Sequence, residues 1–264
     1  MTATALVLAG SIDVGLSWSE EGVRLFMHKA IEALDGPLEK FYKDREPALV
    51  ETASDPTKFP PRLLFEVDRL EPFPFLDLPV DRELAVRKYG EDALEEAGDL
   101  PWRLIDSYHA LIEAHKNADY DAVIQRSAEI AHYVGAMYSP VNVSQNGDGE
   151  PTGQQGLRER FDSRLLEVFS GKLKIDTPSA ILLDYPENYA LSIPRKSYIW
   201  VDNLLYFDYS SRLGVKSYDR FYYDNMWLKA EPLLKQLLKA AALDTASFWY
   251  TAWITARRPE FPKR

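Results

Sequence analysis

Apolar residues recur at helical spacing along most of the chain. Between residues 20 and 43 one such stripe consists of Val23, Phe26, Met27, Ile31 and Leu34. Gly36-Pro37 interrupts the pattern after it. A second stripe, within 101–117, consists of Leu104, Ile105, Tyr108, Leu111 and Ile112. Because each stripe would bury one face of a helix, both segments are predicted to be helical.

The same spacing predicts further helices, and the segments between them carry turn-forming residues. The helices are expected over 81–97, 119–138, 197–212, 218–242 and 244–257, with another starting near Leu157. Segment 54–80 is rich in proline and 139–156 in glycine, so both are predicted to be irregular. We find no internal repeat and no convincing alternation of the kind that strands show. The sequence therefore predicts an all-α fold, a single mainly helical domain.

Composition narrows the class of protein. The 264 residues are 46% hydrophobic and 27% charged, which is typical of an ordered globular protein. The absence of cysteine excludes disulfides, thiolate metal sites and cysteine nucleophiles. The net charge of −10 argues against a basic nucleic-acid-binding surface, because phosphate neutralisation needs clustered Lys and Arg.

Residues 1–17 have some features of an export signal. A short apolar stretch is followed by small residues, but no basic region precedes it, and Asp13 is unfavourable in such a segment. A cleaved signal would make the protein periplasmic or secreted, whereas an ordinary N-terminal extension would leave it cytoplasmic, and both alternatives stay open. No apolar run approaches the ~20 residues that a membrane-spanning helix requires.

Candidate chemistry is concentrated in residues 128–167. His132 and Ala136 lie four residues apart on one predicted helix, on the face that also carries Glu129. Arg158 and Asp162 have the same spacing at the start of the next helix. Taken alone, such a histidine is usually solvated or hydrogen-bonded, and such an Arg/Asp pair is usually a surface ion pair.

Taken together, these residues resemble the zinc-dependent phospholipase C / S1–P1 nuclease superfamily. In that family one helix carries His-x3-Asp, the following loop carries Pro-x-His, and a further helix carries His-x3-Glu/Asp. The corresponding residues here are His132-x3-Ala136, Pro140-Val141-Asn142 and Arg158-x3-Asp162.

The resemblance extends over nearly the whole chain, from residue 18 to 264. The family's N-terminal Trp-x4-His corresponds to Trp18 and Val23, and its acidic ligand before a proline-rich loop corresponds to Asp55. Its His-Tyr/Phe-x-Asp segment corresponds to residues 63–66, and its closing aromatic segment to 247–259. The resemblance therefore implies the phospholipase C/P1 nuclease fold.

The resemblance also implies nine metal-ligand positions around a three-zinc cleft that hydrolyses phosphate esters. The positions that retain a ligand type are Trp18 (through its amine and carbonyl, if the chain is processed there), Asp55, His132 and Asp162. The positions that do not are Val23, Leu63, Ala136, Asn142 and Arg158, where the family has His, His, Asp, His and His. Asp55, His132 and Asp162 are expected to face one cleft.

These substitutions leave each implied zinc short of ligands. The first site keeps Asp55 and His132, the second keeps Asp162 with Asn142 as a poor substitute, and the third keeps only the amino terminus, although zinc in proteins normally has three or four protein ligands. Arg158 would repel a cation. It either supplies the positive charge that zinc supplied beside Asp162, or both residues lie exposed and solvated.

Two functions are compatible with this pattern. The first is a catalytically degenerate family member, without zinc, whose cleft is reused to bind an unidentified ligand or protein partner. The second is a metal-dependent phosphodiesterase, of nuclease or phospholipase C type, that holds zinc through Asp55, His132 and water. Carboxylates that could act as its general base are Glu66, Asp68 and Glu129.

The remaining candidates are expected to be structural. His28, His109 and His115 lie away from the motif, so surface or partly buried roles are expected for them. The C-terminal aromatic residues would line a lipid or carbohydrate groove or, more commonly, form a helix core; they are Tyr218, Phe221, Tyr222, Tyr223 and Trp227.

Overall fold

Eleven α-helices and no β-strand make up the part of the chain that the computed structural model describes, which is residues 18–59, 63–215 and 217–262. The helices are α1 (Glu20–Glu32), α2 (Gly36–Lys43), α3 (Glu46–Ser54), α4 (Arg82–Tyr89), α5 (Glu91–Ala97), α6 (Leu100–Lys116), α7 (Tyr120–Tyr138), α8 (Leu165–Phe169), α9 (Pro186–Tyr198), α10 (Val201–Arg212) and α11 (Arg220–Thr255). The prediction of an all-α single domain is confirmed. The expected signal or extension over 1–17 lies outside the described residues.

Helix α7 forms the centre of the packing. It contacts α3, α6, α9 and α11, and residues 130–138 are all buried, so its C-terminal half has no solvent-facing side. The apolar stripe predicted for 101–117 faces α7 from α6. Because α7 is enclosed, polar side chains on its second half must find partners inside the protein.

Helices α1 and α11 close the core against one another. The buried face of α1 is the stripe predicted from the sequence, and it packs against α11, which also contacts α6 and α7. The Trp249 indole of α11 donates to the Ser127 carbonyl of α7 at 3.0 Å and stacks on the Tyr42 ring at a centroid distance of 4.5 Å. The first and last long helices of the described chain therefore share one core.

Local signals set several helix boundaries. The Ser19 hydroxyl caps α1 by accepting from the Gly22 amide, and the Asp119 carboxylate caps α7 by accepting from the Ala122 amide. The single helix predicted over 81–97 is wrong, because Gly90, at φ +89°, separates α4 from α5.

The prediction of two separate C-terminal helices also needs correction. The segments 218–242 and 244–257 are one helix, α11, which continues through Pro232. The helix expected near Leu157 does begin there, and it continues through a π-helical turn, Glu159–Arg164, into α8. Helices α3 and α9 had no sequence prediction. Among the residues described, no helix has both the length and the apolar character needed to cross a membrane.

Candidate functional site

His132 is buried in the enclosed half of α7. Its Nδ1 lies 2.9 Å from the carbonyl oxygen of Ala53, and because a carbonyl only accepts hydrogen bonds, Nδ1 carries the proton and Nε2 keeps a free lone pair. Burial lowers the pKa of His132 to about 4, so its imidazole is neutral at pH 7. The ring of Phe59 stacks on it, with centroids 3.7 Å apart, and Nε2 has no hydrogen-bond partner among the described residues.

Asp55 lies two residues beyond the carbonyl that His132 contacts, at the end of α3. Its carboxylate accepts from the amide and the hydroxyl of Thr57, at 2.9 and 2.6 Å, and these hydrogen bonds lower its pKa. It lines a cavity of about 650 Å³ together with the start of α1, the end of α2 and one side of α3. His132 is not among the residues lining that cavity, so Asp55 and His132 lie in different surroundings.

Asp162 is fully buried in the π-helical turn. The Ser139 hydroxyl lies 2.7 and 2.9 Å from its two carboxylate oxygens, as the hydrogen-bond donor. Burial raises the pKa of Asp162 well above its usual range, although the Ser139 hydrogen bond and the charge of Arg158 act in the opposite direction. At neutral pH this carboxyl group is therefore costly to ionise.

Trp18 connects the beginning of the described chain to the same region. Its indole nitrogen donates to the Gly135 carbonyl of α7 at 2.8 Å, and its ring packs against Phe161 at a centroid distance of 5.9 Å. The next amide, that of Ser19, donates to the backbone carbonyl of Asp162 at 2.9 Å. Trp18 and Asp162 are thus brought together at the C-terminal end of α7.

The altered positions lie in the interior as well. Val23, Leu63 and Ala136 are buried among apolar side chains. The buried Asn142 donates from Nδ2 to the backbone carbonyl of Ala136 at 3.2 Å. The backbone carbonyl of Asn142 accepts from the amide of Phe65 at 2.7 Å. Segment 63–66 therefore lies beside Asn142.

Arg158 is half-buried, and its guanidinium does not contact the Asp162 carboxylate directly in the way a zinc ion would. Its Nη2 donates to the Val141 carbonyl at 3.1 Å, and its backbone amide donates to Asp148 at 3.1 Å. Because Asp162 is fully buried, the alternative in which both residues are solvated is wrong. The interaction that remains is between charges, and it offsets only part of the burial effect on the Asp162 pKa.

The donor set does not fit a zinc cluster. Three ligand positions carry aliphatic side chains, and a fourth carries the guanidinium of Arg158. Within residues 18–59, 63–215 and 217–262, no three His, Asp or Glu side chains lie close enough to hold one metal ion. Zinc needs three or four such ligands, so these residues do not form a zinc site.

The carboxylates considered as general bases have structural partners. Asp68 accepts from the Ser144 hydroxyl at 2.9 Å and from the Gln145 amide at 3.0 Å. Glu129 accepts from Arg126 and Ser107, and Glu66 forms an ion pair with Arg69. These contacts fix loops and helices, and each carboxylate already has a hydrogen-bond donor.

The other histidines lie away from this region. His28 contacts Glu46 at 2.9 Å and His109 contacts Glu187 at 2.8 Å, both at the surface. His115 is buried on α6 against Phe261, and neither ring nitrogen has a hydrogen-bond partner in the described part of the chain. Burial lowers the pKa of His115 to about 4.

Two buried carboxylates escaped the sequence analysis. Asp208 accepts from Arg160 Nε at 2.9 Å, from the Tyr222 hydroxyl at 2.5 Å and from Gln154 Nε2 at 2.7 Å. Asp244 accepts from two tyrosines and a lysine, which are Tyr138, Tyr189 and Lys196. The available signal was that each aspartate stands at a core position of its helix.

The C-terminal aromatic residues divide between core and surface. Tyr222 and Trp227 are buried and Tyr223 is partly buried, whereas Tyr218 and Phe221 are exposed. The helix-core interpretation therefore applies to the first group, and the exposed residues lie around the start of α11.

No protein-family model matches the chain, and no curated protein matches it either.

Proposed function

We propose that the chain is a catalytically degenerate member of the zinc-dependent phospholipase C / S1–P1 nuclease superfamily, with the fold of that family and a cleft reused for binding. The observation that carries the proposal is the gathering of the motif positions at one end of α7. Trp18 contacts Gly135, the amide after Trp18 contacts Asp162, and Asn142 contacts Ala136. These residues come from separate parts of the chain, as the ligands of the family do.

The contacts at these positions account for a stable fold without metal ions. Ser139 donates to both oxygens of Asp162, Asn142 Nδ2 donates to a backbone carbonyl, and Val23, Leu63 and Ala136 add apolar packing. A metal cluster stabilises a fold because its ligands would otherwise repel or remain desolvated. Here the replacements remove most of that need.

The cavity beside Asp55 supports a binding role that differs from phosphate-ester hydrolysis. Its polar lining has four carboxylates and two cations: Glu20, Glu46, Glu51, Asp55, Arg24 and Lys43. Arg24 is paired with Glu20 at 2.5 Å, so little positive charge is left for a phosphate. Ser54 belongs to the same lining, and its buried hydroxyl has no hydrogen-bond partner among the described residues.

One observation favours the alternative, a hydrolase with a reduced metal site. His132 donates from Nδ1 to a carbonyl and keeps the Nε2 lone pair free, which is the arrangement of a histidine that ligates a metal through Nε2. The stacked ring of Phe59 would have to move before an ion could reach it. The two proposals therefore differ in whether His132 binds a metal.

Zinc content and hydrolysis separate the two proposals. The degenerate member should contain far less than one zinc per chain after purification, and it should not cleave bis-p-nitrophenyl phosphate in an EDTA-sensitive manner. The matched control is His132→Asn, which keeps a donor towards Ala53. Near-stoichiometric zinc that disappears in His132→Asn, together with EDTA-sensitive cleavage, would establish the alternative.

Restoring the ligands tests the family assignment itself. A variant with Val23→His, Leu63→His, Ala136→Asp, Asn142→His and Arg158→His should bind zinc when the chain begins at Trp18, because each ion needs its ligands together. Zinc should then raise its melting temperature. A folded variant, judged by circular dichroism, that stays metal-free at equimolar and excess zinc would contradict the assignment of these five positions.

Ligand binding in the cleft is tested by filling it. Glu51 is an exposed residue of the cavity wall, and Glu51→Trp would occupy part of the 650 Å³ without disturbing the core. Compounds that raise the melting temperature of the natural protein should lose that effect in Glu51→Trp. Hits that stabilise both proteins equally would place their binding elsewhere.

A further inference from the structure

A second cavity, of about 410 Å³, lies between the turn at residues 152–154 and the end of α10. Its lining consists of Thr152, Gly153, Gln154, Tyr209, Arg212, Leu213, Val215, Ser217 and Tyr218. Among the described residues of this lining Arg212 is the only charged one and none carries a carboxylate, although the chain as a whole has 41 acidic and 31 basic residues. The local charge of the cavity is therefore opposite to that of the protein.

The guanidinium of Arg212 is oriented but not neutralised. Its Nη1 donates to the carbonyl of Gly153 at 3.2 Å, and its central carbon lies 5.6 Å from the centroid of the Tyr218 ring. Within the described part of the chain it has no carboxylate partner. A guanidinium has five N–H donors in a planar fork, so donors remain that match a carboxylate or a phosphate.

The aromatic wall of the cavity is held by a rigid layer beneath it. Arg160 lies under the Tyr218 ring, 4.1 Å from its centroid, and is neutralised by the buried Asp208 at 2.9 Å. The side chain of Gln154 is fixed by the same carboxylate, at 2.7 Å. Because these groups are already paired, they position the cavity wall without competing for an anion.

Apolar surface surrounds the guanidinium at the mouth of the cavity. Tyr209 is 57% exposed, Leu213 62% and Tyr218 41%, and all three line the cavity. Exposed tyrosine rings provide flat, apolar contact area with a polar edge. An anion alone would leave this area uncovered, and an uncharged ring would leave Arg212 without a counter-ion.

We propose that this cavity binds a small aromatic anion, with its carboxylate or phosphate on Arg212 and its ring against Tyr209, Leu213 and Tyr218. The volume lies within the range of about 300–1,000 Å³ that small-molecule sites occupy. The proposal does not rest on the function proposed above, because none of these residues belongs to the ligand positions around α7.

The experiment is a calorimetric or NMR titration with phenyl phosphate and with benzoate. Inorganic phosphate and phenol serve as the two halves of the ligand, and each should bind at least tenfold more weakly than the better of the two complete anions. The preference between phenyl phosphate and benzoate identifies the anionic group. Arg212→Gln should weaken binding at least tenfold, and Tyr209→Ala should weaken it severalfold.

A matched control separates the site from general attraction to positive charge. Arg220→Gln removes the same charge from an exposed arginine that is paired with Asp224, at the start of α11, and it should leave binding unchanged. Absence of binding of both anions at millimolar concentration would overturn the proposal. So would equal affinity in Arg212→Gln, provided that its melting temperature shows it to be folded.

Discussion

Two buried aspartates, Asp162 and Asp208, lie near the same π-helical turn but have different hydrogen-bond partners and neighbouring charges. Both are fully buried, and the π-helical turn contributes to both sites, since it carries Asp162 itself and the Arg160 that binds Asp208. Asp208 has a guanidinium, a phenol and an amide as donors. Asp162 has one serine hydroxyl and the more remote charge of Arg158.

We infer that the ionised Asp208 stabilises the folded state, whereas ionisation of Asp162 destabilises it. A buried charge is tolerated when an opposite charge and several hydrogen bonds surround it. Asp208 meets that condition, and Asp162 does not, which is why burial raises its pKa well above the usual range.

Removing Asp208 should produce the largest effect. Asp208→Ala leaves the Arg160 guanidinium buried and unpaired and deprives Tyr222 and Gln154 of their acceptor. The free energy of unfolding should fall by about 3–5 kcal/mol. Urea denaturation at pH 7 measures it. The control, Asp184→Ala at an exposed loop position, should change stability by no more than about 0.5 kcal/mol. Similar effects of the two variants would remove the distinction.

His132 should make the α7 region sensitive to acid. Its pKa is about 4 in the folded protein, against 6.5 when exposed, so the unfolded chain takes up its proton first as the pH falls. Between pH 7 and pH 4.5 this should remove about 2 kcal/mol of stability. The free energy of unfolding of His132→Asn, measured by urea denaturation, should therefore fall by about 2 kcal/mol less over that interval than that of the natural protein. Parallel stability curves for the two proteins would contradict the assignment of a buried neutral imidazole.

Asp162 should respond to pH in the opposite sense. Its pKa is raised on folding, so the protonated group contributes its full stabilisation below the pKa of the unfolded chain, near 3.8. That stabilisation is lost as the pH rises towards and through the raised pKa of the folded protein. Asp162→Asn should consequently be more stable than the natural protein by about 1 kcal/mol at pH 7, with the gain absent near pH 3.5. Thermal denaturation at both pH values tests this. A destabilised variant at pH 7 would show that Asp162 is as well compensated as Asp208.

Arg158 should have the smallest effect, and one that depends on Asp162. Arg158→Gln removes a charge that lowers the pKa of Asp162, and it should reduce stability by less than about 1 kcal/mol at pH 7. In the Asp162→Asn background the loss should nearly vanish, and a double-mutant cycle measures the coupling. Arg164→Gln, at an exposed arginine of the same turn, is the control and should show no coupling to Asp162.

The helices were predictable where the sequence carries both a stripe and a stop signal. The helix of the first stripe ends before Gly36-Pro37, which begin α2, and the stripe over 101–117 is the buried face of α6. The division of α11 near residue 243 failed because the middle of that helix is buried on several sides. Its apolar residues therefore follow no single stripe, and no glycine ends the helix there.

The surroundings of the candidate site residues could not be predicted from the sequence. The spacing of the motifs singles out His132 and Asp162 as candidates, but the groups that decide their ionisation are distant in sequence. Ala53 lies 79 residues from His132, and Ser139 lies 23 residues from Asp162. Periodicity along one helix reports which face is apolar, and it contains no information about which loop covers a polar group on that helix.

The pairing of α1 with α11 has a consequence for synthesis on the ribosome. The chain emerges from its N-terminus, so α1 leaves the exit tunnel long before the helix that covers its apolar face has been translated. Helices α3, α7 and α8 can cover part of that face earlier, but the part that packs on α11 stays exposed until residues beyond 220 are available. A nascent chain stalled before Trp249 should therefore be bound by chaperones and cut by proteases, and release of the last helix should end both.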